Sequence, residues 1–270
     1  MMTTFTSAIR SEKTLLVKGS QKSDTKQPKF VAKFATTQQQ VIDAQSLRAK
    51  TFGEEYGVSF LRNPQGLDVD KYDDYCLHLN VYDTQTEMII ATTRLLTDDN
   101  AQLLQGFYSE QEFELSTLLT CLKGRVLEIG RTCVHPDYRS GAAITVLWSA
   151  LAEYLLAENF NYLIGCASIP LGQQAVPVTQ IIASLDEENF LADELAIVAK
   201  RSLPVQTNVN SVMTHSKLSL PPLLKAYLRM NAKLASQVYY DQDFNCADVF
   251  IILDVAHLAG RYAQRFLKLA

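Results

Sequence analysis

The sequence predicts an α+β fold of layered, α/β-like architecture, in which helices cover one mixed sheet. Segments of strand and helix character alternate along the chain from about residue 29. A long apolar helix, residues 142–157, lies between two apolar strand-like stretches, residues 126–134 and 162–169. The second stretch is almost wholly apolar, as is typical of a strand that is covered on both faces.

The first half of the chain is predicted to supply a helix and an antiparallel strand pair. Val41, Ala44 and Leu47 recur at helical spacing, and residues 83–87 have turn character between two strand-like stretches. We interpret residues 103–119 as an amphipathic loop. The predicted elements are a strand at 30–35, a helix at 37–52, and strands at 76–82 and 88–96.

The second half contains a stretch that does not continue the sheet pattern. Residues 170–219 hold Pro170, Pro177 and Pro204, and we interpret them as an inserted cap with a helix near residues 178–185. After the cap we predict a helix at 221–235, a strand at 244–253 and a helical tail at 255–269. The predicted organisation is one domain over residues 29–270, preceded by a flexible basic leader, residues 1–28.

Composition and charge exclude several classes of protein. Hydrophobic residues make up 47% and charged residues 20% of the 270, which is typical of a soluble domain. Residues 1–33 hold seven basic and two acidic side chains, so their net charge is +5 and the remainder of the −4 chain carries −9. A remainder this acidic argues against nucleic-acid binding. The leader has two interpretations: a solvated tail, or a segment attracted to anionic lipid or to an acidic protein.

Neither a membrane span nor a cysteine framework is predicted. The longest apolar stretch, residues 142–157, is interrupted by Thr145, Ser149 and Glu153 and is shorter than the roughly 18 to 20 residues that cross a bilayer. The N-terminus lacks the apolar segment of a secretory signal, so we expect a cytoplasmic protein, with peripheral contact to the inner face of the membrane as an alternative. Five cysteines without C-x-x-C spacing argue against a disulfide framework and against a metal site.

A strand, a tight polar turn and a helix follow one another without a gap between residues 126 and 151. The turn, residues 135–141, ends in Gly141 before the helix begins at Ala142. Free backbone N–H groups and the helix dipole both favour an anion at such a helix N-terminus. The segment therefore predicts an anion-binding cradle.

Glu128 and Arg131 are unexpected charges on the apolar strand before this turn. Burial disfavours a carboxylate and raises its pKa, which makes Glu128 a candidate general base. The alternative is a structural ion pair between Glu128 and Arg131 or another arginine.

Further candidates lie on the preceding strands. Asp68, Asp70 and Asp73 form a spaced acidic run, which suits either a bound cation and positioned arginines or a solvated turn. Arg94 is placed to pair with a carboxylate or to face solvent. His78 is either a catalytic group or a satisfied core histidine. No G-x-S-x-G, P-loop or G-x-G-x-x-G motif occurs, which argues against a serine hydrolase and against nucleotide binding.

These motifs resemble a known superfamily. The turn from Val134 to Arg139 resembles the pantetheine-pyrophosphate turn of GNAT acyltransferases. The R-x-x-G-x-G/A motif of that superfamily corresponds to residues 139–144 here, with Ala142 and Ile144 at its usual glycine positions. The Arg48 segment, the acidic run, Arg94 and the Glu128-x-x-Arg131 pair resemble the spaced residues of acyl-homoserine-lactone synthases. With residues 74–79, 220–229 and 243–250 added, the combination is most similar to the ornithine-lipid Nα-acyltransferase group and its haemolysin-like relatives.

The resemblance implies a GNAT-like, mixed but mostly antiparallel sheet and an N-acyltransferase that takes part in lyso-ornithine lipid synthesis. No bound cofactor is implied. The co-substrate is the phosphopantetheine thioester of acyl carrier protein, with a (3-hydroxy)acyl chain, and acyl-CoA is the alternative donor. The acceptor is an amino acid, with ornithine first, acylated on its α-amine.

Residue roles follow from the resemblance as expectations. Glu128 and His78 are the expected catalytic residues. Donor binding is expected at Val134, Arg139, Ser140, Gly141 and Ala142. Acceptor binding or site organisation is expected from Arg48, Asp68, Asp70, Asp73, Arg94 and Arg131.

Two other functions fit the same sequence features. One is the synthesis of N-acyl amino acids or of a signal similar to an acyl-homoserine lactone. The other is a catalytically silent module that binds an acyl group or a carrier protein. The apolar residues of the cap suit either a long acyl chain or simple core packing.

Overall fold

In the computed structural model of the protein, a seven-stranded sheet organises the described part of the chain. The structure describes residues 29–57, 64–171, 177–195, 197–204 and 220–257. The predicted leader, residues 58–63, parts of the cap and the predicted tail beyond residue 257 lie outside the described residues.

The described elements alternate between strands and helices, as predicted. The strands are β1 Phe30–Phe34, β2 Leu77–Asp83, β3 Ile89–Thr97, β4 Phe113–Glu114, β5 Arg125–Val134, β6 Phe160–Pro170, β7 Val198–Ala199, β8 Lys233–Asp241 and β9 Cys246–Asp254. The helices are α1 Gln38–Tyr56, α2 Asp98–Leu103, α3 Ser116–Cys121, α4 Ala142–Ala157, α5 Val178–Ala183 and α6 Pro222–Arg229.

The sheet has the strand order β1-β2-β3-β5-β6-β9-β8. Among the strand pairs that the structure describes, β5 and β6 form the parallel one, and α4 is the crossover helix between them. The predicted mixed, mostly antiparallel sheet is therefore confirmed. β4 and β7 form a separate two-stranded pair.

Helices and loops cover both faces of this sheet. On one face α4 packs across β1, β2, β3, β5 and β6, and α6 packs against β6, with Leu147, Leu151 and Tyr227 fully buried. On the other face α1, the acidic run and residues 104–122 cover the sheet, where Phe113 and Phe250 are fully buried. Val178 and Ile181 of the predicted cap are buried in the first of these cores.

The central strands separate part-way along their length. The pairing of β5 with β6 runs from Arg125 and Phe160 only to Ile129 and Gly165. At Gly165 an added Cβ would lie 2.4 Å from the carbonyl oxygen of Ile129, so the close approach of the two strands before they separate requires glycine. Beyond this point β5 continues along β3, whereas β6 continues along β9.

The predicted helix over residues 221–235 is too long at its C-terminal end. The helix starts as predicted at a Pro-Pro pair but ends at Arg229, and Asn231 adopts a left-handed conformation with φ 72°. Asparagine tolerates this conformation, which reverses the chain into β8. Apolar residues near residue 233 fit both a helical and an alternating spacing, and residues 233–241 form a strand because they pair with β9.

Residues 103–119, predicted as a loop, contain a 3-10 turn at Tyr108–Gln111, β4 and part of α3. The described start of the predicted C-terminal helix, residues 255–257, is a 3-10 turn. Within the described ranges, no helix is both long and apolar enough to cross a bilayer.

Candidate active site

A cavity of about 590 Å³ occupies the gap that opens where β5 and β6 separate. Its walls come from both faces of the sheet. The α4 and α6 side is largely apolar and includes Ile144, Trp148, Ala226 and Met230. The opposite side is polar. We call these two parts the apolar half and the polar half; the polar half contains Tyr108, Glu112, Glu128, Arg131, Ser168 and Asp248.

A β-bulge in β5 shapes the cavity wall. Thr92 pairs with Cys133 and Arg94 pairs with Gly130, so β5 has one residue more than β3 between these pairs. Arg131 lies in the bulge with φ 52°, a conformation that is uncommon for a residue with a side chain. The bulge places the Arg131 side chain at the cavity, where its guanidinium lies over the Tyr108 ring at 5.2 Å.

Val134 follows the bulge on the edge of β5 that faces the gap. The next residue, His135, donates its backbone N–H to the carbonyl oxygen of Ile90 at 2.8 Å. Because successive N–H groups of a strand point to opposite edges, the N–H of Val134 points away from β3 and toward the cavity. Val134, one of the residues at which donor binding is expected, lines the cavity.

Glu128 lies in the polar half and is only 3% exposed. Its Oε2 accepts the backbone N–H of Tyr108 at 2.6 Å, and its Oε1 accepts the backbone N–H of Ser109 at 2.7 Å. The Ser109 hydroxyl also donates to Oε1. Burial raises the pKa of Glu128, against these hydrogen bonds and the charge of Arg94, which lower it. Among the described residues, Glu128 forms these hydrogen bonds and no ion pair with Arg131 or another arginine.

The acidic run is neutralised by arginines of α1 and β3. Arg48, fully buried, donates to Asp68 at 2.8 Å and to Asp73 at 2.7 Å. Arg94 donates to Asp70 at 2.6 Å and to Asp73 at 3.2 Å. Against the effect of burial, Arg48 and Arg94 lower the pKa of Asp73 to about 2.

Arg131 joins the same network from the cavity. Its Nε lies 3.4 Å from Asp68 Oδ2, and one terminal nitrogen lies 3.6 Å from Asp70 Oδ2. Three arginines thus face three aspartates, and the network connects α1 to the bulge of β5. Acceptor binding and site organisation are the two roles expected for these six residues, and their mutual ion pairs are the kind of contact that organises a site.

His78 lies beneath the network and does not line the cavity. Its Nε2 is 3.1 Å from the carbonyl oxygen of Asp73, and the side chain is 3% exposed. Burial and the charge of Arg48 lower the pKa of His78, so its ring is neutral near pH 7. The structure therefore separates His78 from Glu128, with which the sequence analysis grouped it.

The predicted donor turn lies at the mouth of the cavity. Arg139 and Gly141 line it, whereas Ser140 and Ala142 are exposed beside it. Gly141 precedes α4 in a left-handed conformation, φ 96°, and no side chain of the described residues caps the first N–H groups of the helix. These free donors give the helix N-terminus the character of an anion site.

Two additional acidic residues lie in the polar half, and sequence reasoning gave neither a role. Glu112 and Asp248 are 4% and 3% exposed. Burial raises the pKa of Glu112 well above its usual range, with the charge of Asp248 adding to the effect. Burial and the neighbouring Asp241 raise the pKa of Asp248 to about 6, although the Ser168 hydroxyl hydrogen-bonds to it.

Comparison with known proteins decides the family. A model of the acetyltransferase (GNAT) domain matches residues 47–149. An L-ornithine N(alpha)-acyltransferase of Brucella abortus is 32% identical over 250 residues, which cover 87% of each chain. An enzyme of the same name from Agrobacterium fabrum is 32% identical over 87% of this chain and 84% of its own. The chain belongs to the L-ornithine N(alpha)-acyltransferase family.

Solved structures support the fold of this acyltransferase. A CoA-dependent acyl-homoserine lactone synthase, BjaI, superposes with a TM-score of 0.54 at 14% identity, covering 88% of this chain and 89% of its own. The TofI structure in complex with an inhibitor and MTA superposes with a TM-score of 0.50 at 12% identity, covering 86% of this chain and 96% of its own. The predicted GNAT-like fold and the amide-forming acyltransferase activity are confirmed.

The site residues of this acyltransferase that sequence reasoning missed had different signals. Asp248 is an acid among the apolar residues 246–253 of β9, which is the signal that singled out Glu128. Ser109 and Glu112 had no comparable signal, because residues 103–119 have no clear periodicity and their position depends on the tertiary fold.

Proposed function

We propose that this acyltransferase transfers a (3-hydroxy)acyl chain from the phosphopantetheine thioester of acyl carrier protein to the α-amine of ornithine, in lyso-ornithine lipid synthesis. The relatives' names support ornithine as the acceptor. The CoA-dependent neighbour supports a thioester donor, and acyl-CoA remains an alternative to the carrier protein. The observation that carries the proposal is the cavity, which joins an apolar half to a charged polar half through the gap in the sheet.

The donor enters at the N-terminus of α4 in this proposal. The N–H groups of residues 140–142 and the Arg139 side chain hold the phosphate of phosphopantetheine. The N–H of Arg139 itself donates to Pro136, and its side chain pairs with Glu55 until the phosphate binds. The pantetheine arm follows the edge of β5 that faces the gap. The acyl chain occupies the apolar half, against Ile144 and Trp148.

The reaction takes place in the polar half. Glu128 accepts a proton from the α-ammonium group, directly or through a water, and the free amine attacks the thioester carbonyl carbon. The N–H of Val134 stabilises the oxyanion. The C–S bond then breaks, the amide forms, and the thiolate takes up the second proton of the amine.

Arg131 holds the α-carboxylate of the acceptor in this scheme. The network of Arg48, Arg94 and the three aspartates fixes the position of Arg131. His78 acts as a positioning residue beneath the network, since it hydrogen-bonds the backbone of Asp73 and lies away from the cavity.

Release of free thiol from acyl carrier protein thioesters tests the function. We expect release with ornithine. Release with another amine in preference to ornithine would favour an N-acyl amino acid or acyl-lactone-like synthase, and binding without release would favour a silent module. Either result would refute the proposal.

The assignment of Glu128 is tested with Glu128→Gln, which keeps the shape of the side chain. We expect turnover to fall about 10²- to 10⁴-fold, as is typical when a general base is lost. Glu114→Gln, at the exposed position of β4, is the matched control. Near-wild-type turnover of Glu128→Gln across pH would show that Glu128 is not the base.

A further inference from the structure

The second acidic group of the cavity, Glu112 and Asp248, has no role in the scheme above. Glu112 follows the 3-10 turn at Tyr108–Gln111, and Asp248 projects from β9 opposite Ser168. The two residues lie far apart in the sequence, and Asp248 is close enough to Glu112 to raise the pKa of the Glu112 carboxyl group. Both line the same polar half as Glu128 and Arg131.

This acidic group lacks a cationic partner. Among the described residues, no Lys, Arg or His lies within ion-pair distance of Glu112 or Asp248. The nearest guanidinium that acts on them, Arg131, directs its ion pairs to Asp68 and Asp70. Oε2 of Glu112 is buried and forms no hydrogen bond of ordinary geometry in the described chain. The Cys166 thiol, a weak donor, lies close enough to this carboxyl group to lower its pKa in part.

An unpartnered carboxylate oxygen in a cavity wall indicates a bound cation. Burying such an oxygen without a partner is costly, and the cost disappears when a donor fills the cavity. An alkylammonium group offers three N–H donors, one of which can bond the free oxygen, and its positive charge would oppose the effects that raise the pKa of both carboxyl groups.

We propose that Glu112 and Asp248 bind the side-chain ammonium group of a diamino-acid acceptor. The inference deepens the proposed function and rests on it. With the α-carboxylate on Arg131 and the side-chain ammonium on Glu112 and Asp248, the α-amine is the nitrogen left at Glu128. The site thus selects both the acceptor and the nitrogen that is acylated.

The acidic run is a poorer choice for this ammonium group. Asp70 and Asp73 already pair with Arg94, and Asp68 pairs with Arg48. An added cation at these aspartates would have to displace an arginine from a buried ion pair, which is strongly unfavourable.

A metal ion is a poorer occupant of the second group. Ligand atoms of Asp241, Cys246 and Asp248 lie within 4.8 Å of one another. However, burial and the neighbouring aspartates raise the pKa of the Cys246 thiol far above its usual range. A protonated thiol is a weak ligand, since metals bind the thiolate.

Ornithine and norvaline together test the proposal, because norvaline is ornithine without the side-chain amine. We expect wild-type kcat/KM to favour ornithine strongly. Glu112→Gln and Asp248→Asn should each lower the ornithine-to-norvaline ratio at least tenfold, mainly by lowering kcat/KM for ornithine. Glu114→Gln should leave the ratio unchanged. Calorimetric binding of each amino acid without donor should show the same loss of preference.

Several results would overturn the proposal. They are a wild-type enzyme without preference for ornithine, equal losses for both acceptors in the variants, or activity abolished by a chelator and restored by a divalent cation. If wild type acylates no amine at all, the proposed function fails, and the binding measurement alone decides on the ammonium site. If Asp248→Asn does not fold, as judged by circular dichroism, Glu112→Gln decides.

Discussion

Asp248→Asn is expected to stabilise the folded protein at alkaline pH. Burial and Asp241 raise the pKa of Asp248 from its ordinary value of 3.8 to about 6. As pH rises from about 4 to 6, the folded state keeps a proton that the unfolded state has released, so the free energy of unfolding falls. Two pKa units correspond to about 3 kcal/mol, which is the cost of the ionised carboxylate above pH 6.

Asparagine avoids this cost, because it stays neutral at every pH and its side-chain oxygen still accepts the Ser168 hydroxyl. Urea unfolding at pH 8 should give Asp248→Asn a free energy of unfolding about 2 to 3 kcal/mol above that of wild type. The difference should shrink toward zero at pH 4. The groups acting on Asp248 in the folded state include Asp241, Cys246 and Arg131. A variant that is less stable at pH 8, or a difference that does not change with pH, would refute this reasoning.

Three further predictions concern the network, the strand junction and the leader. Asp73→Asn should lower the free energy of unfolding by about 3 kcal/mol at pH 7, because it breaks buried ion pairs. Asp74→Asn, at an exposed position, should leave the free energy of unfolding unchanged. Since the pKa of Asp73 is lowered to about 2, the stabilisation by Asp73 should disappear as pH falls through that value. An unchanged urea midpoint for Asp73→Asn would contradict the first. Gly165→Ala should destabilise the β5–β6 junction and abolish activity, as measured by urea unfolding and thiol release. Gly130→Ala is the control, because an added Cβ at Gly130 has open space around it and should be tolerated in both assays. A Gly165→Ala variant that is active and stable would contradict the second prediction. Deletion of residues 1–28 should raise KM for the carrier-protein donor, more at low salt, and an unchanged KM would assign the leader no role in donor binding.

Local patterns predicted the part of the fold that depends on local sequence. The turn at residues 135–141 and the start of α4 at Ala142 follow from Pro, Gly and apolar periodicity, and the structure confirms both. The overlap of helical and alternating spacing near residue 233 is different, because only the pairing of β8 with β9 resolves it. Local patterns do not contain that long-range information.

The candidate site divides along the same line. Glu128 is identifiable as a charge on an apolar strand, and its burial is confirmed. Its hydrogen-bond partners, the N–H groups of Tyr108 and Ser109, lie about twenty residues earlier and have no sequence signal. The sequence likewise does not reveal that an oxygen of Glu112 is unpaired, because this depends on Arg131 pairing with Asp68 and Asp70 in the folded protein.

The position of the new amide bond tests the central claim most directly. Wild-type protein is incubated with a 3-hydroxyacyl carrier-protein thioester and ornithine, and the product is fragmented in a mass spectrometer. The account predicts an amide on the α-nitrogen, with the side-chain amine free. An amide on the side-chain nitrogen, or no amide with ornithine while another amine is acylated, would contradict it.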